Sequence, residues 1–177
     1  MNSRTAFHTV RASMVMYEEN AHKITALLAA INPDSRQDII ALGRIDSMLN
    51  VQQQLDGGGF IGMLGDRTFG HDTTVPVTFF GAPAELPVGA FRMAAVLRRP
   101  VIFMSGLYLG GNRYKVILQE LADFSDTPRG ERAQAVAAAI ARYAQLLEEC
   151  CRAAPYNWFN FFDFWAATTA PGEARDD

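Results

Sequence analysis

Cysteine is scarce in this chain. Only two of its 177 residues are cysteine, Cys150 and Cys151, and they are adjacent. Neighbours on a helix point away from each other, so this pair argues against a structural disulfide, and no metal-ligand spacing accompanies it. That usage fits a reducing cytoplasm. Long hydrophobic runs are also missing: none reaches the ~18 residues needed to span a bilayer. The amino-terminal stretch MNSRTAFHTVRAS carries basic residues but no continuous apolar block, so it does not read as a secretion signal. Nor is there an excess of positive charge. Lys and Arg number 16 against 19 Asp and Glu, a net charge of −3, which gives no whole-chain indication of a nucleic acid partner. What remains is the profile of a folded globular protein, 49 % apolar and 20 % charged. The chain is long enough for one domain with a substantial core.

Along the chain, short apolar runs alternate with helical patterns. Met14 to Tyr17 read as a buried strand. Ile24, Leu27, Leu28 and Ile31 then recur at helical spacing until Asn32-Pro33. DIIAL is a second short apolar run. Ile45, Met48, Leu49, Val51 and Leu55 follow at roughly helical spacing and end at three glycines. FIGMLG is a third strand, and VPVTFFG another, with Pro76 arguing for an edge or a strand start. PVGAFRMAAVL reads as a short buried helix. PVIFMSGLYL and NRYKVILQE read as a hairpin across Gly110-Gly111-Asn112. The longest helix is TPRGERAQAVAAAIARYAQLLEECCR, with Val136, Ile140, Tyr143 and Leu147 on one stripe. The acidic tail after Trp165 is expected to be loose.

Strand and helix in alternation predict an α/β domain with a mostly parallel sheet flanked by helices. Ligands of such sheets sit at the carboxyl ends of strands. Asp66-Arg67 stands at the end of FIGMLG, where such a site is expected. The competing reading is an ion pair on a solvated loop.

Four stretches, in order, resemble the lysophospholipid acyltransferase superfamily, and within it the bacterial lipid A biosynthesis (lauroyl/myristoyl) acyltransferase-like family. IIALGRIDSMLNVQQQLDGGGFIGMLGDRTFG is similar to the arginine-bearing second motif followed by a helix, a strand and an acidic turn. TFFGAPAELPVGAFRMAAVLRRPVIFM resembles the segment after it, and APYNWFNFFDFW the aromatic C-terminal stretch. The resemblance runs from about Ser13 to Trp165 and implies one acyltransferase-like α/β domain over residues 1–166, with 167–177 as tail. It implies that Arg44 grips an anionic group of the acceptor, a task suited to a planar, permanently charged guanidinium. Asp66 and Arg67 would position the acceptor, and Gly65 and Gly70 would keep that backbone tight. Pro87 and Gly89 match the start of the following helix, and Pro100-Val101 the fourth motif.

The family's catalytic motif, a His followed five positions on by Asp or Glu, is not found. His8 is followed at that distance by Ser13, His22 by Leu27 and His71 by Pro76. Because RASMVMYEENAHKITALLAAINP resembles the segment after that motif, the resemblance implies a base upstream of Met1 and a missing first strand-helix unit. His71 is the substitute nearest the expected site, but adjacent side chains in an extended segment face opposite ways, so Asp72 is poorly placed to orient it. His22, beside Glu18 and Glu19, reads as part of an exposed face.

The resemblance therefore implies transfer of a fatty acyl group from a thioester of acyl-carrier protein or coenzyme A to a hydroxyl of a lipid A-type or lysophospholipid acceptor. No metal and no organic cofactor is expected. Activity is expected to be impaired without the base; the alternative is a non-catalytic lipid-binding module or a gene fragment. Location on the cytoplasmic face of the bacterial inner membrane would follow. PYNWFNFFDFW, seven aromatics in eleven residues, reads either as a membrane-interface anchor or as a plug over the core. Arg92, Arg98 and Arg99 could add attraction to anionic lipid or be solvated helix charges.

Overall fold

The apolar block at Met14–Tyr17 forms strand β1 (Ala12–Tyr17). The computed structural model describes residues 11–17, 38–42, 46–67, 73–160 and 164–165. The expected helix at residues 24–31, the three histidines, Arg44 and Gly70 lie outside the described residues. The chain divides into two compact units, Met1–Leu64 and Gly65–Asp177.

In the first unit, β1 lies between two parallel partners, β2 (Asp38–Leu42) and β3 (Phe60–Gly62), in the order β2-β1-β3. Ser13 is in register with Asp38 on one side and Ile61 on the other. A strand flanked on both edges suits apolar residues throughout, and Val15 is buried. Helix α1 (Ser47–Asp56) carries the chain from β2 to β3. Its glycines close it as expected. Gly58, at φ 78°, takes the left-handed position, its N–H donates to the Leu55 carbonyl, and the Gly59 N–H donates to that of Gln54. This is a Schellman ending. A Cβ at Gly59 would lie 2.9 Å from the Arg11 and Gln54 carbonyl oxygens, so glycine is required where helix and strand meet. The α1 stripe is narrower than its spacing suggests. Val51 is buried while Met48 and Leu49 are exposed; the Ser47 hydroxyl, donating to the Ala41 carbonyl at 2.5 Å, supplies the other buried contact.

The second unit is built on antiparallel pairs. β4 (Thr74–Phe79) turns through Phe80-Gly81 into β5 (Ala82–Pro87). Both turn residues have positive φ, 52° and 79°, the two-residue geometry that matches strand twist. APAELP, which the spacing does not mark as a strand, forms one although Pro83 and Pro87 cannot donate to a ladder; a two-stranded ribbon has free edges, and prolines are tolerated there. Helix α2 (Gly89–Leu97) follows. Next comes the expected hairpin, β6 (Pro100–Tyr108) and β7 (Tyr114–Asp123). Helix α3 (Arg132–Ala153) is the longest, followed by a 3-10 turn at Pro155–Asn157. The architecture is thus mixed α/β. Among the described residues only one sheet is parallel, with three strands, and the other two are antiparallel pairs, so the mostly parallel sheet expected from strand-helix alternation is not what these residues form.

α3 organises the core of this unit. Ile140, Ala144, Leu147 and Cys151 join Phe79, Leu86, Phe91 and Phe124 in one apolar cluster. Leu146 and Cys150 meet Phe103 and Leu107 of β6 in a second. The two free, buried cysteines therefore face different clusters, as neighbours on a helix must.

Candidate functional site

Asp66 and Arg67 follow β3 in the chain and belong to the second unit. The Asp66 carboxylate is largely buried. Its Oδ2 accepts a hydrogen bond from the Trp158 indole N–H at 3.0 Å, and its Oδ1 lies 3.6 Å from Arg67 Nε. Arg67 Nη2 donates to the Phe159 carbonyl at 3.2 Å. Two consecutive residues near the C-terminus thus hold both members of the charged pair. The Arg67 side chain stays 38 % exposed. Its Nε is itself buried with no hydrogen-bond acceptor among the described residues. That nitrogen faces Asp66 Oδ1, so any ligand would meet the exposed part of the side chain and not Nε.

Gly65 is buried against Tyr143 of α3. A Cβ there would lie 3.0 Å from Tyr143 Cζ, so glycine lets the ring approach the backbone. Burial, and then the Asp66 charge, push the Tyr143 phenol well above its usual range; the ring is neutral and presents an uncharged wall. Tyr143 stacks edge-on with Phe91 and Phe103 at 5.7 and 5.6 Å. Cys151 is likewise no nucleophile: burial first, then Cys150, Asp66 and Glu148, push its thiol up to about 11, and a reactive cysteine needs a lowered value.

The aromatic C-terminal stretch divides. Trp158 and Phe164 gather around Phe79, with ring centroids 5.3 and 5.0 Å away, and the Trp165 indole donates to the Phe79 carbonyl at 3.2 Å. Trp158 and Phe164 thus pack on the core, whereas Tyr156, Phe159 and Trp165 are exposed. Pro87 ends β5, buried, and Gly89 opens α2; none of the hydrogen bonds or ion pairs of Asp66 and Arg67 reaches them. A Cβ on Gly89 would meet nothing within 4 Å, so packing does not demand glycine there. Arg98 is engaged, its Nε donating to the Ser125 carbonyl at 2.8 Å, and Arg92 is exposed.

A separate open groove of about 520 Å³ is lined by Asp123, Asp126, Glu131 and Gln134 among others. Its acidic lining is the wrong sign for an anionic ligand, and none of the expected site residues borders it. Among the described residues no cluster of His, Cys, Asp and Glu could hold a metal, and no helix is long and apolar enough to cross a membrane.

A family model of bacterial lipid A biosynthesis acyltransferases matches residues 7–166. The chain belongs to that family. No curated protein matches it. For a lipid A biosynthesis acyltransferase family member, the general chemistry is acyl transfer, with an acyl donor and a lipid acceptor. Of the expected site residues, the structure brings Gly65, Asp66 and Arg67 together with Tyr143, Trp158 and Phe159, leaves Pro87 and Gly89 at the β5–α2 junction, and does not describe Arg44 or His71. Trp158 and the Phe159 carbonyl were not foreseen as site residues. The only sequence signal was chemical: an indole N–H placed among aromatics must find an acceptor when buried.

Proposed function

We propose that this acyltransferase family member moves a fatty acyl group from a thioester of acyl-carrier protein or coenzyme A to a hydroxyl of a lipid A-type or lysophospholipid acceptor, with Asp66 and Arg67 positioning the acceptor, Asp66 by holding the Arg67 guanidinium that meets its anionic headgroup. The observation that carries the reading is the Arg67 side chain, partly exposed yet fixed by Asp66 and the Phe159 carbonyl. A fixed guanidinium loses little freedom when it takes a phosphate. Arg44, Gly65, Pro87 and Gly89 are further acceptor-binding residues in this reading. The reaction attacks the thioester carbonyl with the acceptor hydroxyl, forms an ester and releases the thiol. No metal or organic cofactor takes part. The protein works in peripheral contact with the cytoplasmic face of the bacterial inner membrane.

The hydroxyl proton must go to a base. No histidine in the 177 residues has an acid five positions on, and loss of a general base costs about 10²–10⁴-fold. Turnover by these residues is therefore expected to be slow. The same fact favours a second reading, a lipid-binding module that does not turn over. Incubating the full chain with radiolabelled acyl thioester and a lipid A-type acceptor decides between them. Slow formation of labelled ester, lost in Arg67→Ala, supports the transferase. Acceptor binding with no ester supports the module, and neither binding nor transfer contradicts both.

A further inference from the structure

The segment from Asn157 to Asn160 touches both members of the charged pair and is itself anchored. Asn157 Oδ1 accepts from the Tyr108 N–H at the end of β6, at 2.5 Å. The Trp158 ring packs edge-on against Phe79 and Phe164, with centroids 5.3 and 5.0 Å away. The Asn160 N–H closes a turn on the Trp158 carbonyl at 2.9 Å. From this fixed ring the indole N–H reaches Asp66 Oδ2 at 3.0 Å. The next carbonyl, that of Phe159, accepts from Arg67 Nη2 at 3.2 Å. The distance within the charged pair is the informative one. Asp66 Oδ1 stands 3.6 Å from Arg67 Nε, beyond hydrogen-bond range. An unrestrained carboxylate and guanidinium close to a direct, charge-assisted contact of about 2.8 Å.

We infer that Trp158 is a positioning residue of the acceptor site, an inference that rests on the acceptor grip proposed above and deepens it. By donating to Asp66 Oδ2, the indole fixes the plane of the carboxylate and satisfies one of its oxygens. Asp66 then orients Arg67 by charge without forming the two parallel hydrogen bonds that such a pair favours when free to move. The Phe159 carbonyl takes one N–H of Arg67 Nη2. Among the described residues Nη1 has no partner, so its N–H groups stay available to an anionic oxygen. Packing against Phe79 and Phe164 needs only a ring at position 158; the charged pair uses the indole N–H. With the ring but not the donor, Asp66 turns toward Arg67 and competes with the acceptor for the same guanidinium.

The test is calorimetric binding of a phosphate-bearing lipid A-type acceptor, and of the same acceptor without its phosphate, to the full chain. The proteins compared are the wild type, Trp158→Phe, Arg67→Ala and the double variant. Trp158→Phe should bind the phosphate-bearing acceptor roughly three- to tenfold more weakly and the phosphate-free one like the wild type. In the Arg67→Ala background the same substitution should change neither, because residues that act as one unit do not add. A loss equal in both backgrounds, or equal for both acceptors, makes Trp158 a packing residue only and overturns the inference. Unchanged binding by Trp158→Phe, with Arg67→Ala still weakened, overturns it and leaves the acceptor grip standing. Wild-type affinity in Arg67→Ala removes the grip and the inference together. Should Trp158→Phe lose structure by circular dichroism, the wild type carries the test. Its Trp158 indole N–H resonance should shift when the phosphate-bearing acceptor is added and not with the phosphate-free one. A resonance that answers both alike, or neither, overturns the inference.

Discussion

The second unit contains two hairpins, β4–β5 and β6–β7, that pack one face inward and treat the other face in opposite ways. On β4–β5 the outward positions are Pro76, Thr78, Pro83 and Glu85, paired as Pro76↔Glu85 and Thr78↔Pro83. Prolines remove donors from the edges, and polar side chains keep the face wet. The turn is clamped as well: the Phe80 N–H donates to Glu148 Oε1 at 2.7 Å, Arg152 pairs with Glu148, and the Arg152 guanidinium sits 4.9 Å from the Phe80 ring centroid. On β6–β7 the outward positions are apolar apart from Glu120, which pairs with Ile102, and the turn is a glycine pair, Gly110 and Gly111, with φ of 88° and 60°. The first hairpin is protected against partners, whereas the second is less so. The same fold element therefore ends in a mostly polar outer face in one place and a mostly apolar one in the other.

The comparison breaks most visibly at Phe79, the inward centre of β4–β5. Phe79 is fully buried, and Phe79→Ala should cost about 3–5 kcal/mol in urea denaturation, whereas Met104→Ala on the outward face of β6–β7 should stay within about 0.5 kcal/mol. Equal costs would mean that the Met104 face is core after all. A smaller effect is expected at Trp158, which packs on Phe79 and donates to Asp66. Trp158→Phe keeps an aromatic ring but removes the donor, and should cost about 1.5–3 kcal/mol, as for a hydrogen bond to a charged group. No loss of stability would show that the Asp66 contact contributes nothing.

A further effect, confined to alkaline pH, is a pH slope from the core shared with β4–β5. The folded protein holds Cys151 up to about 11, against an ordinary value of about 8.5 in an unfolded chain. In that window the unfolded chain has lost its thiol proton and the folded one has kept it. Stability should therefore be flat below about pH 8.5 and fall toward pH 11, with Cys151→Ala flattening part of the slope. An unchanged slope in that variant would assign the fall to other groups, the raised Tyr143 first among them.

The legible parts of the fold were those whose period is local. The α3 stripe of Ile140 and Leu147, the β6–β7 hairpin and the glycine stop after α1 follow from spacing and turn chemistry that neighbouring residues share. APAELP was illegible because its prolines argue against a strand, and only its pairing with β4 makes it one. The exposure of Met48 and Leu49 on α1 was not legible either, since periodicity marks an apolar face without showing how much of it a partner covers. At the site, Asp66 and Arg67 could be chosen from their place after a strand. Their partners could not, because Trp158 and Phe159 stand 92 residues away from them in sequence, and no local pattern joins an acid to an indole over that distance.

The measurement that tests the central claim most directly is calorimetric binding of a phosphate-bearing lipid A-type acceptor to the full chain and to Arg67→Ala. Charge-assisted hydrogen bonds contribute about 1.5–3 kcal/mol, so the variant should bind roughly 10- to 100-fold more weakly while its circular dichroism stays that of the wild type. Equal affinity in the two proteins would contradict the account and return Asp66 and Arg67 to the role of a structural tie for the C-terminal turn.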